Sequence, residues 1–182
     1  MRLIPNRIDD HEGKFSMTKA ESLDLVVEFD LVTEELLDLI EAGLPKGRTE
    51  PDGQCPQGWD SKQIVAHIAE LSEFWHSDIE SCLGRPKNKI LGRSSLSEER
   101  LKRIDVLASL PTSELIDKAT VEIGKCTALL ASLEPKDLDM LVTHLTDGQI
   151  PVSELASKHL IAHLSEHLGQ LRALEEMIPE NT

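Results

Sequence analysis

The stretch HLIAHLSEHLGQL, residues 159–171, sets His159, His163 and His167 four apart in a chain of 182 residues that holds 7 histidines. Four-residue steps stack side chains along one stripe of an α-helix. Imidazoles on one stripe can share a metal ion, and metal binding is the chemistry this spacing points to. On a wheel of about 100° per residue, Leu160, Leu164, Leu168, Leu171 and Leu174 cover roughly 120°. His163 and His167 fall at the edge of that apolar sector, while Ser165, Glu166, Lys158 and Arg172 fall outside it. His159 lies about 40° further round. In the segment SKQIVAHIAELSEFW, His67 likewise sits at the edge of a stripe centred on Ile68 and Trp75. Two helices therefore each aim imidazole at a common interior. Three histidines plus an open fourth position make a catalytic zinc-type site. Imidazole also suits nickel, iron and copper. Spacing alone leaves a second reading standing, in which these are partly buried polar histidines of a helical core.

His163-Leu-Ser-Glu-His167 also fits the inverted zinc-peptidase pattern, with Glu166 as general base. That chemistry needs a further ligand in a larger fold, and Glu166 points about 100° away from His167. The peptidase reading is therefore set aside. Around the three histidines, Glu70 lies one turn beyond His67. It can orient that ring, although a solvated carboxylate is the expectation from sequence. Gln170 lies one turn beyond His167 and can hydrogen-bond into the site or simply pack. His159 reads as a polar pocket wall or as plainly exposed, with a fourth ligand or a proton shuttle as further roles. His144, in an irregular segment, can approach the site or be solvated. Trp59 can line the pocket or anchor the core. Cys55, in a Pro/Gly-rich loop beside Trp59, is a further potential ligand. Arg85, Lys87, Lys89 and Arg93 form a basic patch that reads as a solvated loop, able to draw in an anionic cofactor or substrate.

These residues need elements to position them. Apolar periodicity predicts a helix from about Thr18 to Leu44, with Leu23, Val26, Val27, Leu37 and Ile40 apolar. The following PKGRTEPDGQCPQG is too Pro- and Gly-rich for a helix and long enough to be expected to cover something. Asp60 or Ser61 caps a second helix running to about Leu83, with Gln63 as the capping-box partner if Asp60 is the cap. A short helix over 97–110 and a third long helix over 113–133 end at Pro111 and Pro135. Residues 136–151 read as irregular, with an Asp147-Gly148 turn signal. A fourth long helix runs from Val152 to about Met177, with Ser153 as its cap. Residues 1–16 read as a flexible arm, and 17–182 as one domain of four long amphipathic helices, a four-helix bundle.

Composition sets the same bounds. Aromatics make up 3%, with no Tyr, so Leu, Ile, Val and Ala must build the core. The formal charge of −14 argues against nucleic acid and against anionic membrane surfaces as partners. Cys55, Cys82 and Cys126 are odd in number and lack a CxxC pattern, which points to free thiols in a reducing compartment. No apolar stretch reads as a signal peptide or a membrane span. A cytoplasmic protein is the expectation.

GWDSKQIVAHIAELSEFW, followed about ninety residues later by HLIAHLSEHLGQL, resembles the DinB-like superfamily. These are bacterial metal-binding four-helix proteins that include mycothiol-dependent maleylpyruvate isomerases and bacillithiol transferases. The features that carry the likeness are Trp59 at the start of the second helix, His67 two turns into it, and His163, His167 and Gln170 in the last. The resemblance spans about residues 18–176 and implies an up-down-down-up bundle. It also implies a site at His67, His163 and His167 for Zn, Ni or Fe. It further implies a small-molecule substrate, with the metal holding and deprotonating a low-molecular-weight thiol in an S-transfer or isomerisation. A metal-dependent hydrolase, a non-catalytic bundle and a homodimer are the other outcomes such relatives suggest.

Overall fold

The computed structural model describes residues 19–83 and 89–176; the expected arm over 1–16, Arg85 and Lys87 lie outside them. Four long helices dominate: α1 (Lys19–Ala42), α2 (Ser61–Cys82), α4 (Thr112–Ser132) and a last helical run made of α6 (Val152–Leu155), a π-helical turn (Ala156–Ile161) and α7 (Ala162–Glu176). The shorter α3 (Glu98–Ala108) and α5 (Pro135–Leu138) precede and follow α4. Among the described residues no helix is long and apolar enough to cross a membrane.

Local chemistry explains the boundaries. Asp60 Oδ1 accepts from the Gln63 amide at 2.9 Å, and the Asp60 amide donates to Gln63 Oε1 at 3.2 Å, completing the predicted capping box. Ser97 caps α3 through the Arg100 amide. The last helix starts differently from expectation: Pro151, not Ser153, occupies the cap position, and no side chain caps it. Its fixed φ and absent N–H suit a position where the backbone turns from strand into helix.

The helices pack as a ring in which α1 and α2 each touch both α4 and the last helix, so α1 and α2 sit diagonally. That diagonal needs a long connection, supplied by residues 43–60. Apart from Phe29, Trp59 and Trp75, aliphatic side chains fill the centre: Ile64, Ile68, Leu71 and Ile79 from α2, Leu115, Ile123 and Leu130 from α4, and Leu160, Leu164, Leu168 and Leu171 from the last helix are buried. Not all of the apolar positions of α1 face inward. Leu25, Phe29, Leu36 and Ile40 point in, whereas Leu23 and Val27 are 61% and 48% exposed. This helix is apolar on more than one side, so periodicity alone does not single out its buried face.

The segment expected to be irregular holds structure. β2 (Leu141–His144) and β3 (Gly148–Pro151) form an antiparallel hairpin, and β1 (Ile90–Leu91) adds to β2 in parallel. The register sets Leu91 beside His144. This small sheet lies over one end of the bundle and delivers His144 and Asp147 toward α2 and the last helix.

Candidate metal centre

His67 comes from α2, and His163 and His167 from α7, which pack against each other. One ligand atom from each of the three rings lies within 4.8 Å of the others. The ring centroids of His67 stand 5.2 Å from His163 and 4.6 Å from His167, both edge-to-face. His163 and His167, one helical turn apart, stand at 4.8 Å. His67 and His167 are buried and His163 is half-buried.

Three surroundings fix how these rings present themselves. Gln170 Oε1 lies 2.9 Å from His167 Nδ1, so that nitrogen donates and carries the ring proton. The Nε2 lone pair of His167 is then buried with no hydrogen-bond partner. For His67, Glu70 Oε2 lies 3.5 Å from Nδ1 without a hydrogen bond between them, and Trp59 stacks on the ring at 5.8 Å between centroids. Its Nε2 accepts from Arg100 Nη2 at 2.8 Å. Burial pushes all three imidazoles down, with the Arg100 charge adding to the effect; His163 is pushed down to about 4, and His67 and His167 well below the usual range. The rings are therefore neutral, the form that ligates metals.

The donor set fits a divalent ion. Three neutral imidazoles converge; His167 has its Nδ1 tied to an oxygen, as metal-ligating histidines commonly do, and its Nε2 is an orphan that costs free energy where it stands. Arg100 stands at the one point of competition, since His67 Nε2 cannot serve a guanidinium and an ion together.

Most predicted site residues gather here. Glu70 is 3% exposed rather than solvated, because Arg93 Nη2 bonds one oxygen and Arg100 lies 4.0 Å from the other. Trp59 donates from Nε1 to Asp52 Oδ2 at 3.0 Å, which pins the Pro/Gly-rich loop over the centre. That loop does cover something: Asp52 and Gln54 join Trp59 and the triad around a cavity of about 260 Å³. Gly58 lets the loop close, since a Cβ there would stand 1.9 Å from the Thr49 carbonyl oxygen and its φ is +71°. Glu166 is exposed and lines the same cavity as the triad.

Cys55 stays out of the triad, with Sγ 3.0 Å from the Gly58 carbonyl oxygen. Cys126 is buried, its thiol pushed up to about 12 by desolvation. His159 and His144 form a second cluster. His159 Nε2 lies 2.7 Å from Asp147 Oδ2, and its ring stacks on Trp75 at 5.4 Å and lies tilted against His144 at 4.0 Å. His144 is buried rather than solvated. Both rings line a cavity of about 440 Å³ together with His67, His163, Arg93 and Arg100. Sequence reasoning missed Arg100 and Asp147 and left Arg93 in a solvated patch. Arg93 and Arg100 reach Glu70 across the chain, so no local signal marks them, and Asp147 shows only as a turn residue.

No protein-family model matches the chain, and no curated protein matches its sequence. Solved structures do. YfiT from Bacillus subtilis, described as a probable metal-dependent hydrolase with an unusual four-helix bundle topology, is 18% identical with a TM-score of 0.68, over 93% of this chain and 94% of that one. A mycothiol-dependent maleylpyruvate isomerase is 14% identical with a TM-score of 0.61, over 85% of this chain; the match spans 63% of the isomerase. An uncharacterised protein from Escherichia coli UTI89 is 12% identical with a TM-score of 0.65, over 85% and 92% of the two chains. At these identities the likeness is one of fold, and the fold of this chain is a four-helix bundle like that of YfiT.

Proposed function

We propose that this chain is a metal-dependent enzyme in which His67, His163 and His167 hold one Zn, Ni or Fe ion beside a cavity that admits a small molecule. The observation that carries the reading is the convergence of three neutral, largely buried imidazoles from two helices, with the Nε2 of His167 left without a partner. A divalent ion there would supply Lewis acidity and lower the pKa of a thiol or water beside it. The chain's own residues do the positioning. Gln170 holds the Nδ1 proton of His167, so that ring presents Nε2 inward, and the Glu70 carboxylate stands 3.5 Å from His67 Nδ1. Trp59 fixes the plane of His67, and the loop through Asp52 limits entry of water.

A closed, structural site would need a fourth ligand. The candidates are engaged elsewhere: Cys55 on Gly58, and His159 and His144 with Asp147. The open position favours catalysis over a structural or non-catalytic role. A cavity of about 440 Å³ suits a drug-sized or smaller substrate. The reaction class follows the two kinds of neighbour. Thiol-dependent S-transfer or isomerisation is the first choice, from the likeness to the mycothiol-dependent isomerase. Hydrolysis is the second, from YfiT, and dependence on added thiol separates them. The three free thiols support a reducing, cytoplasmic setting. The exposed Leu23, Val27 and Leu31, on one stripe of α1, support pairing of two copies.

The test is the metal content of purified wild type beside His163→Ala, by plasma mass spectrometry. About one Zn, Ni or Fe per chain, lost in the variant, is the expected result. No stoichiometric metal in wild type, even after adding back Zn or Ni, would overturn the proposal.

A further inference from the structure

The charge balance of the larger cavity is incomplete. The chain is acidic, with 33 Asp and Glu against 19 Lys and Arg. Yet the described residues lining this cavity include Arg93 and Arg100 and not one carboxylate. Arg100 is 4% exposed. One carboxylate, Glu70, faces both guanidiniums: it bonds Arg93 Nη2 and lies 4.0 Å from Arg100 Nε. The other carboxylate acting on Arg100 is Asp52, and its oxygens already accept from Trp59 Nε1 at 3.0 Å and from the Gln54 and Cys55 amides at 2.7 and 2.6 Å. Two guanidiniums thus share one close counter-charge in a largely buried wall. Buried charges are stable when paired, and this wall has one cation in excess.

The two guanidiniums are also held for use. Phe74 lies under Arg93, 3.9 Å from its guanidinium carbon to the ring centroid, which fixes the plane of the fork. The Ser95 carbonyl oxygen accepts from Arg100 Nη1 at 2.7 Å. Arg100 Nη2 also faces His67, 2.8 Å from Nε2, the nitrogen a metal would claim, and 3.4 Å from Nδ1. Once it does, Arg100 Nη2 loses its acceptor and the excess positive charge grows.

We propose that this cavity binds a small oxyanion, a carboxylate or phosphate group held by the paired forks of Arg93 and Arg100, with the rest of the molecule directed toward the histidine triad. Guanidinium forks match both oxyanions bidentately. This deepens the metal-enzyme reading above, by giving its substrate or cosubstrate an anionic group. Aromatic Phe74 and Trp75 on the same wall suit a molecule with an apolar body.

The experiment is isothermal titration calorimetry at low salt on the full chain, zinc-loaded and metal-free, with zinc measured in each sample. The probes are malonate, inorganic phosphate and the neutral malonamide. Malonate or phosphate should bind in the micromolar to millimolar range and malonamide should not; which anion binds tells carboxylate from phosphate recognition. Arg93→Gln should weaken binding about tenfold or more, the scale of one charge-assisted contact, and Arg93→Lys should weaken it less. Lys retains the charge paired with Glu70, so it serves where Gln disturbs folding. Equal anion affinity in wild type and both variants, equal binding of malonamide, or no binding of either anion would overturn the proposal. Absence of zinc from wild type would instead sink the metal reading, and the metal-free titration would still decide the arginine site by the same criteria.

Discussion

Acidifying the metal-free protein asks whether the bundle holds its imidazoles neutral. Burial first, and then the Arg100 charge, push His163 down to about 4, whereas an unfolded chain returns it to about 6.5. With the folded value below the unfolded one, the unfolded chain binds the extra proton. Stability is then full above about pH 6.5 and is lost as pH falls toward 4. At about 1.4 kcal/mol per pH unit, His163 alone should cost about 2 kcal/mol between pH 7 and pH 5. His67 and His167 add losses of the same sign, since burial also lowers both. Asp52, Glu122 and Asp147 are shifted downward, so their stabilising ionisation persists through this window. The assay is urea unfolding with chelator present, at pH 7, 6 and 5, for wild type and His163→Gln. With a slope of about 1–3 kcal/mol per molar urea, the wild-type midpoint should fall by about 1 M or more. His163→Gln should lose about 2 kcal/mol less than wild type over the same interval. Equal losses in the two proteins would refute the argument, whatever their absolute stabilities.

Three further outcomes follow from the same contacts. Glu70→Gln leaves two guanidiniums without their shared carboxylate, and should cost about 3 kcal/mol in urea unfolding and about tenfold or more in zinc affinity measured against a chromophoric chelator; no change in either would refute the role of Glu70. Gly92→Ala sets a Cβ 2.5 Å from His144 Nε2 at a backbone φ of +84°, so thermal unfolding should report a loss of about 1–3 kcal/mol, and an unchanged midpoint would show that His144 moves freely. Leu31→Glu, on the 63% exposed end of the α1 stripe, should turn a dimer into a monomer in sedimentation equilibrium, and a wild type that is already monomeric would remove the pairing proposal.

The parts of this molecule that are readable from sequence are those set by near neighbours. Asp60 and Gln63 announce the start of α2 because a capping box is closed within four residues. The inward aim of His67, His163 and His167 follows from their angle to the leucine and isoleucine stripes. The hairpin is harder, because its strands are four residues each and leave little alternation to detect. Only the Asp147-Gly148 turn signal shows. β1 is two residues long and pairs with a strand some fifty positions away, so nothing within either segment predicts the other. Leu23 and Val27 mislead because α1 carries apolar residues on two faces, and only the packing of α4 and α7 decides which is buried. Glu70 is buried by Arg93 and Arg100, whose approach depends on the whole path from α2 through the sheet to α3. The charge network around the site is therefore tertiary, while its imidazoles are local.

The two tryptophans gain a use from where they stand. The chain has no tyrosine, so indole dominates its ultraviolet emission. Trp59 stacks on His67 of the triad, and Trp75 on His159 of the second cluster. Each histidine group thus has its own fluorophore in van der Waals reach, and an imidazole that gains a proton or an ion alters the emission of its neighbour. With Trp59→Phe or Trp75→Phe, one optical signal remains, and the two ends of the site can be followed separately without any attached label.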